Sequence, residues 1–167
     1  MKTKIIIIVT VAILACGTAV LAVLNRQISE PAETNSFIIT AGGQSYEVTR
    51  GLMEEIGLIS VEVKKSTSKS PSAPISLEGV PLREVLDRLE IDVRGTERCL
   101  SRASDNYSTV IGAGEALDPE NAFIAAAQNG EPLKPLINGG DGPFMLVLRK
   151  DPFANRWCRG LIELIFD

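Results

Sequence analysis

The chain has 167 residues, 45% hydrophobic and 23% charged, with no histidine. That length suits one ordinary domain and the balance excludes a disordered or collagen-like chain, while the missing imidazole removes Ser-His-Asp and Cys-His catalysis and every histidine-ligated metal or haem. Lys2, Lys4 and Arg26 are the only charges among the first 26 residues, so of 17 basic and 21 acidic residues the remainder holds 14 and 21, net −7, which argues against nucleic acid as a partner.

Ile5 to Leu24 is an uncharged run of 20 residues. As a helix at about 1.5 Å per residue it spans roughly 30 Å, the hydrocarbon thickness of a bilayer. The apolar core of a secretory signal is usually shorter, about 7–15 residues. Three readings stay open: an uncleaved transmembrane helix, a signal cleaved after Gly17-Thr18-Ala19, or a lipoprotein box at Ile13-Leu14-Ala15-Cys16. In the last case the apolar run continues for eight residues beyond the cysteine. Lys2 and Lys4 before the run place the N-terminus in the cytoplasm and the body on the extracytoplasmic side of a cell membrane. The expected division is 1–26 as anchor or signal, 27–36 (QISEPAETNS) as linker, and 37–167 as an extracytoplasmic domain.

In the body, Phe37–Thr40 and Ser45–Thr49 around Gly42-Gly43 predict a β-hairpin. Thr49 is placed to cap a short helix through Leu52, Met53 and Ile56, stopped by Gly57. Leu58–Lys64 alternates apolar and polar, as a half-buried strand does. Ser66–Pro74 is a low-complexity loop. Ile75–Leu77 precedes a turn at Gly79 and a helix over Pro81–Leu89, whose apolar residues Leu82, Val85, Leu86 and Leu89 recur at helical spacing. Cys99–Ala103, Ser108–Ile111, Phe144–Leu148 and Leu161–Phe166 read as further strands. The segment Asp118–Gly130 reads two ways. Its cap, Pro119 and alanines favour a helix by local propensity. Alternatively Ala122–Gln128 is a buried strand and Asn129-Gly130 a tight hairpin turn. The fold class is α+β with sheet predominating.

Few motifs carry chemistry. Gly112-Ala-Gly114 resembles the opening of a dinucleotide-binding turn, but Leu117 occupies the third small position and Pro119 interrupts the helix that should follow. Ser66-Thr-Ser-Lys69 has nucleophile–base spacing in a Ser/Pro-rich loop, where a solvated linker is the simpler reading. Glu115, Asp118 and Glu120 lack the ligand spacing of a calcium loop. Asn106-Tyr-Ser108 is a glycosylation sequon, meaningful only in a eukaryotic secretory pathway. The three cysteines, Cys16, Cys99 and Cys158, are too scattered for a zinc ribbon or iron–sulfur cluster. Cys99 and Cys158 are the two exported thiols, so a disulfide between them is expected, the alternative being two separate buried thiols. It would close a loop of about 60 residues, worth roughly 4 kcal/mol in the chain-entropy model.

From Ile75 onward five short motifs occur in order. They are Gly79-Val80-Pro81-Leu82, Ser104-Asp105-Asn106-Tyr107, Asn129-Gly130-Glu131-Pro132-Leu133, Asp141-Gly142-Pro143-Phe144-Met145 and Arg156-Trp157. This order over about 90 residues resembles the oxidoreductase molybdopterin-binding domain, the sulfite-oxidase-type fold. The resemblance implies a mixed, mainly β domain and makes Ala122–Gln128 a strand. It also implies ligand-cleft candidates at Asp105, Asn106, Tyr107, Gly139, Gly140, Asp141 and Arg156.

The chain departs from the family at its cofactor residues. The family ligates molybdenum through a cysteine upstream of the Gly-Val-Pro-Leu turn, and no cysteine stands between residue 24 and Gly79. The arginine expected near the cofactor's phosphate falls on Met145. Arg156 replaces a lysine, and Asn106 a glycine. The family's exported enzymes cross folded behind paired arginines, absent before Ile5. The sequence therefore leads to a membrane-anchored, non-catalytic module for an unidentified ligand or protein partner, with no catalytic residue, metal or cofactor. The alternative is a genuine molybdopterin-dependent oxidoreductase with an atypical metal site.

Overall fold

Alternating residues and a Gly-Gly turn build the first hairpin. Strand β1 (Ser36–Ala41) pairs antiparallel with β2 (Gln44–Thr49) across Gly42 and Gly43, both at positive φ. The computed structural model describes residues 35–64 and 74–167, within the compact unit Thr34–Asp167. The apolar run 5–24 and the tetrad Ser66–Lys69 lie outside the described residues. Among the described residues no helix is long and apolar enough to cross a membrane.

Thr49 caps α1 (Arg50–Ile56), its hydroxyl accepting from the Leu52 amide at 3.2 Å, and Gly57 ends it at φ 111°. Strands β3 (Ile59–Lys64) and β4 (Pro74–Pro81) are antiparallel. Gly79 is not the expected turn. It lies inside β4 at a bulge opposite β7 (Ala122–Gln128), and the strand runs straight into α2 (Leu82–Arg88) with Pro81 as the residue before the helix.

Strands β5 (Arg98–Ala103) and β6 (Ser108–Gly112) form the next hairpin, followed by the one-turn helix α3 (Ala113–Leu117). The segment 122–128 is a strand, as the resemblance implies and against local propensity. Asn129 and Gly130, at φ 53° and 83°, turn β7 into the short β8 (Glu131–Pro132). Strands β9 (Met145–Leu148), β10 (Cys158–Arg159) and β11 (Leu161–Phe166) complete the domain.

Two sheets result. One has the order β2-β1-β11-β5-β6, antiparallel except for β1 beside β11. The other has the order β10-β9-β7-β4-β3, with β8 on β7, and is antiparallel throughout. Their inner faces share one hydrophobic core, in which Phe37 of the first sheet meets Phe144 edge-on at 5.3 Å. Strand β7 explains its own composition. It packs against that core on one face and α2 on the other, so six of its seven residues are buried and four are alanine.

Candidate functional site

The parallel pairing of β1 with β11 sets Ile38 level with Glu163, and the antiparallel pairing of β5 sets Ala103 opposite Leu161. The starts of β1 and β11 and the end of β5 therefore lie at one edge of the first sheet. Gly160 sits there. Its carbonyl accepts from the Ser104 amide at 2.9 Å and its amide donates to the Asp141 carbonyl at 2.8 Å. The turn Asp105–Tyr107 lies on one side and the loop 133–142 on the other.

Each loop is held by its own chemistry. The Asp105 carboxylate accepts from the Tyr107 amide at 3.0 Å, the Asx turn expected of an Asp two residues upstream. Asn106 takes the left-handed position at φ 68°. The Tyr107 hydroxyl donates to the Asn155 carbonyl at 2.7 Å, tying this turn to residues 153–157. Gly139, also left-handed, closes the single 3₁₀ turn Leu136–Asn138. A β-carbon on Gly140 would collide with the Lys134 carbonyl, so the loop's return path leaves room only for glycine. The Arg159 guanidinium reaches Asp141 at 3.4 Å. Asp105, Asn106, Tyr107, Gly139, Gly140 and Asp141 are thus gathered around Gly160.

Arg156 turns elsewhere. Its guanidinium donates to both oxygens of Glu115, at 2.9 and 3.1 Å, and to both oxygens of Asp151. The fork that could hold a phosphate is filled by two carboxylates. Arg156, and after it the Gly112 amide, holds the Glu115 carboxyl below its ordinary range. A carboxyl whose folded pKa is depressed adds stability above its unfolded pKa and loses it as pH falls through the folded value. Arg156→Met should therefore lower stability at neutral pH, with the gap from wild type narrowing below about pH 4. The expected gap is about 1 kcal/mol, because both side chains are more than a third exposed, at 37% and 39%. Urea titrations at pH 7 and pH 3.5 measure it; an equal gap at both would remove the ion pair as its cause.

The expected disulfide is absent. Cys99 and Cys158 are both free and fully buried thiols. The two thiols are near enough that the charge of Cys158 acts on Cys99, but Cys158, on β10, meets Ser101, two residues along β5 from Cys99. Two residues of strand span about 6.6 Å, while bridged β-carbons sit about 3.8 Å apart. Burial pushes the Cys99 thiol up to about 12, helped by the Asp167 and Cys158 charges, and burial pushes the Cys158 thiol up to about 11. Folded protein should therefore resist alkylation at both positions. Denatured, unreduced protein should be labelled at both; labelling at neither would restore the bridge.

The remaining motifs are consumed by structure. The Gly112 amide donates to Glu115, and α3 is only five residues long. Asp118 and Glu120 flank the Lys150 ammonium. Among the described residues no group of three or more acids or thiols could hold a metal ion. Two surface clefts have none of residues 105–107, 133–142 or 160 in their walls. One, of about 340 Å³, runs beside α2 between Arg83 and Arg94. The other, of about 590 Å³, is lined by Lys64, Arg149, Lys150, Asp151 and Trp157. Nothing in the sequence pointed to either: the first is walled mainly by α2 and the residues just after it, and the second by segments around 62–64, 120 and 149–157 that meet only in the fold. The exposed apolar residues Ile137 and Phe153, beside the predicted loops, were also missed. Their signal was a large apolar residue in each of two Pro-containing loops, Ile137 after Pro135-Leu136 and Phe153 after Pro152.

No family model matches this chain, and no curated protein does. Among solved structures it is similar to the sulfane dehydrogenase SoxCD from Paracoccus pantotrophus, with a TM-score of 0.59 at 14% identity. The match covers 78% of this chain and 37% of that one, so this chain spans little more than a third of that neighbour's length. At that identity the likeness shows the fold alone.

Proposed function

We propose that this chain is a non-catalytic binding module on a sulfite-oxidase-type scaffold, anchored by residues 5–24 with its body outside the cytoplasm, and that it carries neither molybdenum nor pterin. The Gly160 loops are its contact surface. The donor set is the observation that carries this reading: the residues present do not fit a molybdopterin. Cys99 and Cys158, the two thiols of the described body, are core side chains held protonated by burial, whereas a metal needs an accessible thiolate. Met145, where the resemblance expects the phosphate-binding arginine, is a fully buried member of β9. Arg156 is committed to Glu115 and Asp151.

One observation favours a second reading, a genuine oxidoreductase: the likeness in fold to a sulfane dehydrogenase. Metal and pterin analysis of protein purified from its own host separates the two. The binding-module reading expects far less than one molybdenum atom per chain. Near-stoichiometric molybdenum with pterin would overturn it.

A further inference from the structure

We propose that the Gly160 loops rest on the bilayer that holds residues 5–24, with Ile137, Phe153, Tyr107 and Ile162 entering its headgroup region. This deepens the reading above and rests on its membrane anchor. The first support is where the chain leaves the domain. Because β1 runs parallel to β11, Ser36 lies at the same edge of the sheet as Leu161, Gly160 and the turn after β5. Residues 25–35 join that edge to the apolar run. Eleven residues reach at most about 40 Å when extended, so the chain enters the domain at this edge and cannot hold it farther than that from the apolar run. A short tether gives an effective concentration on the order of millimolar, enough to populate a contact too weak to form between separate molecules.

The second support is what is exposed at that edge. The described residues expose six large hydrophobic side chains: Ile59, Tyr107, Val110, Ile137, Phe153 and Ile162. Four of them belong here. Ile137, 76% exposed, follows Leu136, whose side chain occupies the space beside Gly160. Phe153 lies two residues before Asn155, the acceptor of the Tyr107 hydroxyl. Ile162 is the second residue of β11. Aromatic and aliphatic side chains on polar loops suit the boundary between headgroups and acyl chains. The ionised side chains of these loops balance, Lys134 and Arg159 against Asp105 and Asp141. The surface therefore suits zwitterionic lipid and does not depend on anionic lipid.

The test uses the full chain with Cys16→Ser, reconstituted into phosphatidylcholine vesicles containing nitroxide-labelled lipid. A thiol-reactive dye is placed at Ile137→Cys or at Gln44→Cys, with Cys99 and Cys158 shielded in the core. Gln44 pairs with Ala41, which lies beside Phe166 at the opposite end of the sheet. Quenching by lipid is expected to be several-fold stronger at residue 137 than at 44, and to persist in high salt. Equal quenching at both positions in chains that float with the vesicles would overturn this contact and leave the anchor standing. Chains that do not float would overturn the anchor, and this inference with it.

Discussion

Gly79→Ala is expected to destabilise this domain by about 3 kcal/mol or more and to lower its melting temperature by about 10 °C. The cause is room. A β-carbon on Gly79 would fall deep inside van der Waals contact with the Ile124 carbonyl oxygen, 2.8 Å from the Ile124 carbonyl carbon and 2.9 Å from the Ala125 α-carbon. All three atoms are backbone of β7, which is paired on one side to β4 and on the other to β9 and buried on both faces. No side-chain rotation relieves the clash, so either the bulge at Glu78–Gly79 or the central strand must move. Gly114→Ala is the control. Nothing lies within 4 Å of its new β-carbon, and the residue sits inside α3, so it should be neutral or stabilising by up to about 1 kcal/mol. Thermal unfolding of both variants measures the contrast. Equal melting temperatures would show that β7 yields where its packing says it cannot.

Trp157→Ala is expected to cost about 3–5 kcal/mol. The indole is 5% exposed, belongs to the shared core and donates its N–H to the Leu148 carbonyl at 3.2 Å. Truncation leaves a large cavity beside β9 and an acceptor without its donor. Trp157→Phe separates the two effects: it keeps most of the volume and loses the hydrogen bond, for about 1 kcal/mol plus a smaller packing loss. Urea denaturation of the pair gives both numbers. A cost below about 1 kcal/mol for the alanine variant would mean that the tryptophan is not a core residue. The pair also bears on function, because it tests a motif residue as a structural member of the domain.

The elements that the sequence made legible are those whose signal is local. The β1–β2 hairpin, the Thr49 cap, the Gly57 stop and strands β3, β5, β6 and β11 follow from alternation, capping and turn residues within a few positions of one another. Strand β7 was legible only through the family resemblance. Its alanines favour a helix locally, but a strand enclosed on both faces needs small side chains, and that enclosure is tertiary. The turn expected at Gly79 failed for the same reason. Its glycine serves a close approach to a strand 45 residues later in the chain.

The candidate site divides along the same line. The sequence alone established an uncharged run of bilayer length, an acidic body without histidine, and the absence of a cysteine before Gly79 at the family's metal position. Between residue 24 and Gly79 that absence is complete, Cys16 lying in the apolar run; these are statements about which groups exist, and no folding can supply a missing side chain. The tertiary structure decided which groups meet. It set Asp105–Tyr107 and Gly139–Asp141 on either side of Gly160, closed Arg156 onto Glu115 and Asp151, and set Cys158 against Ser101 with the Cys99 thiol near it but unbonded. Each of these depends on strand register, and one residue of slip would turn every partner to the other face.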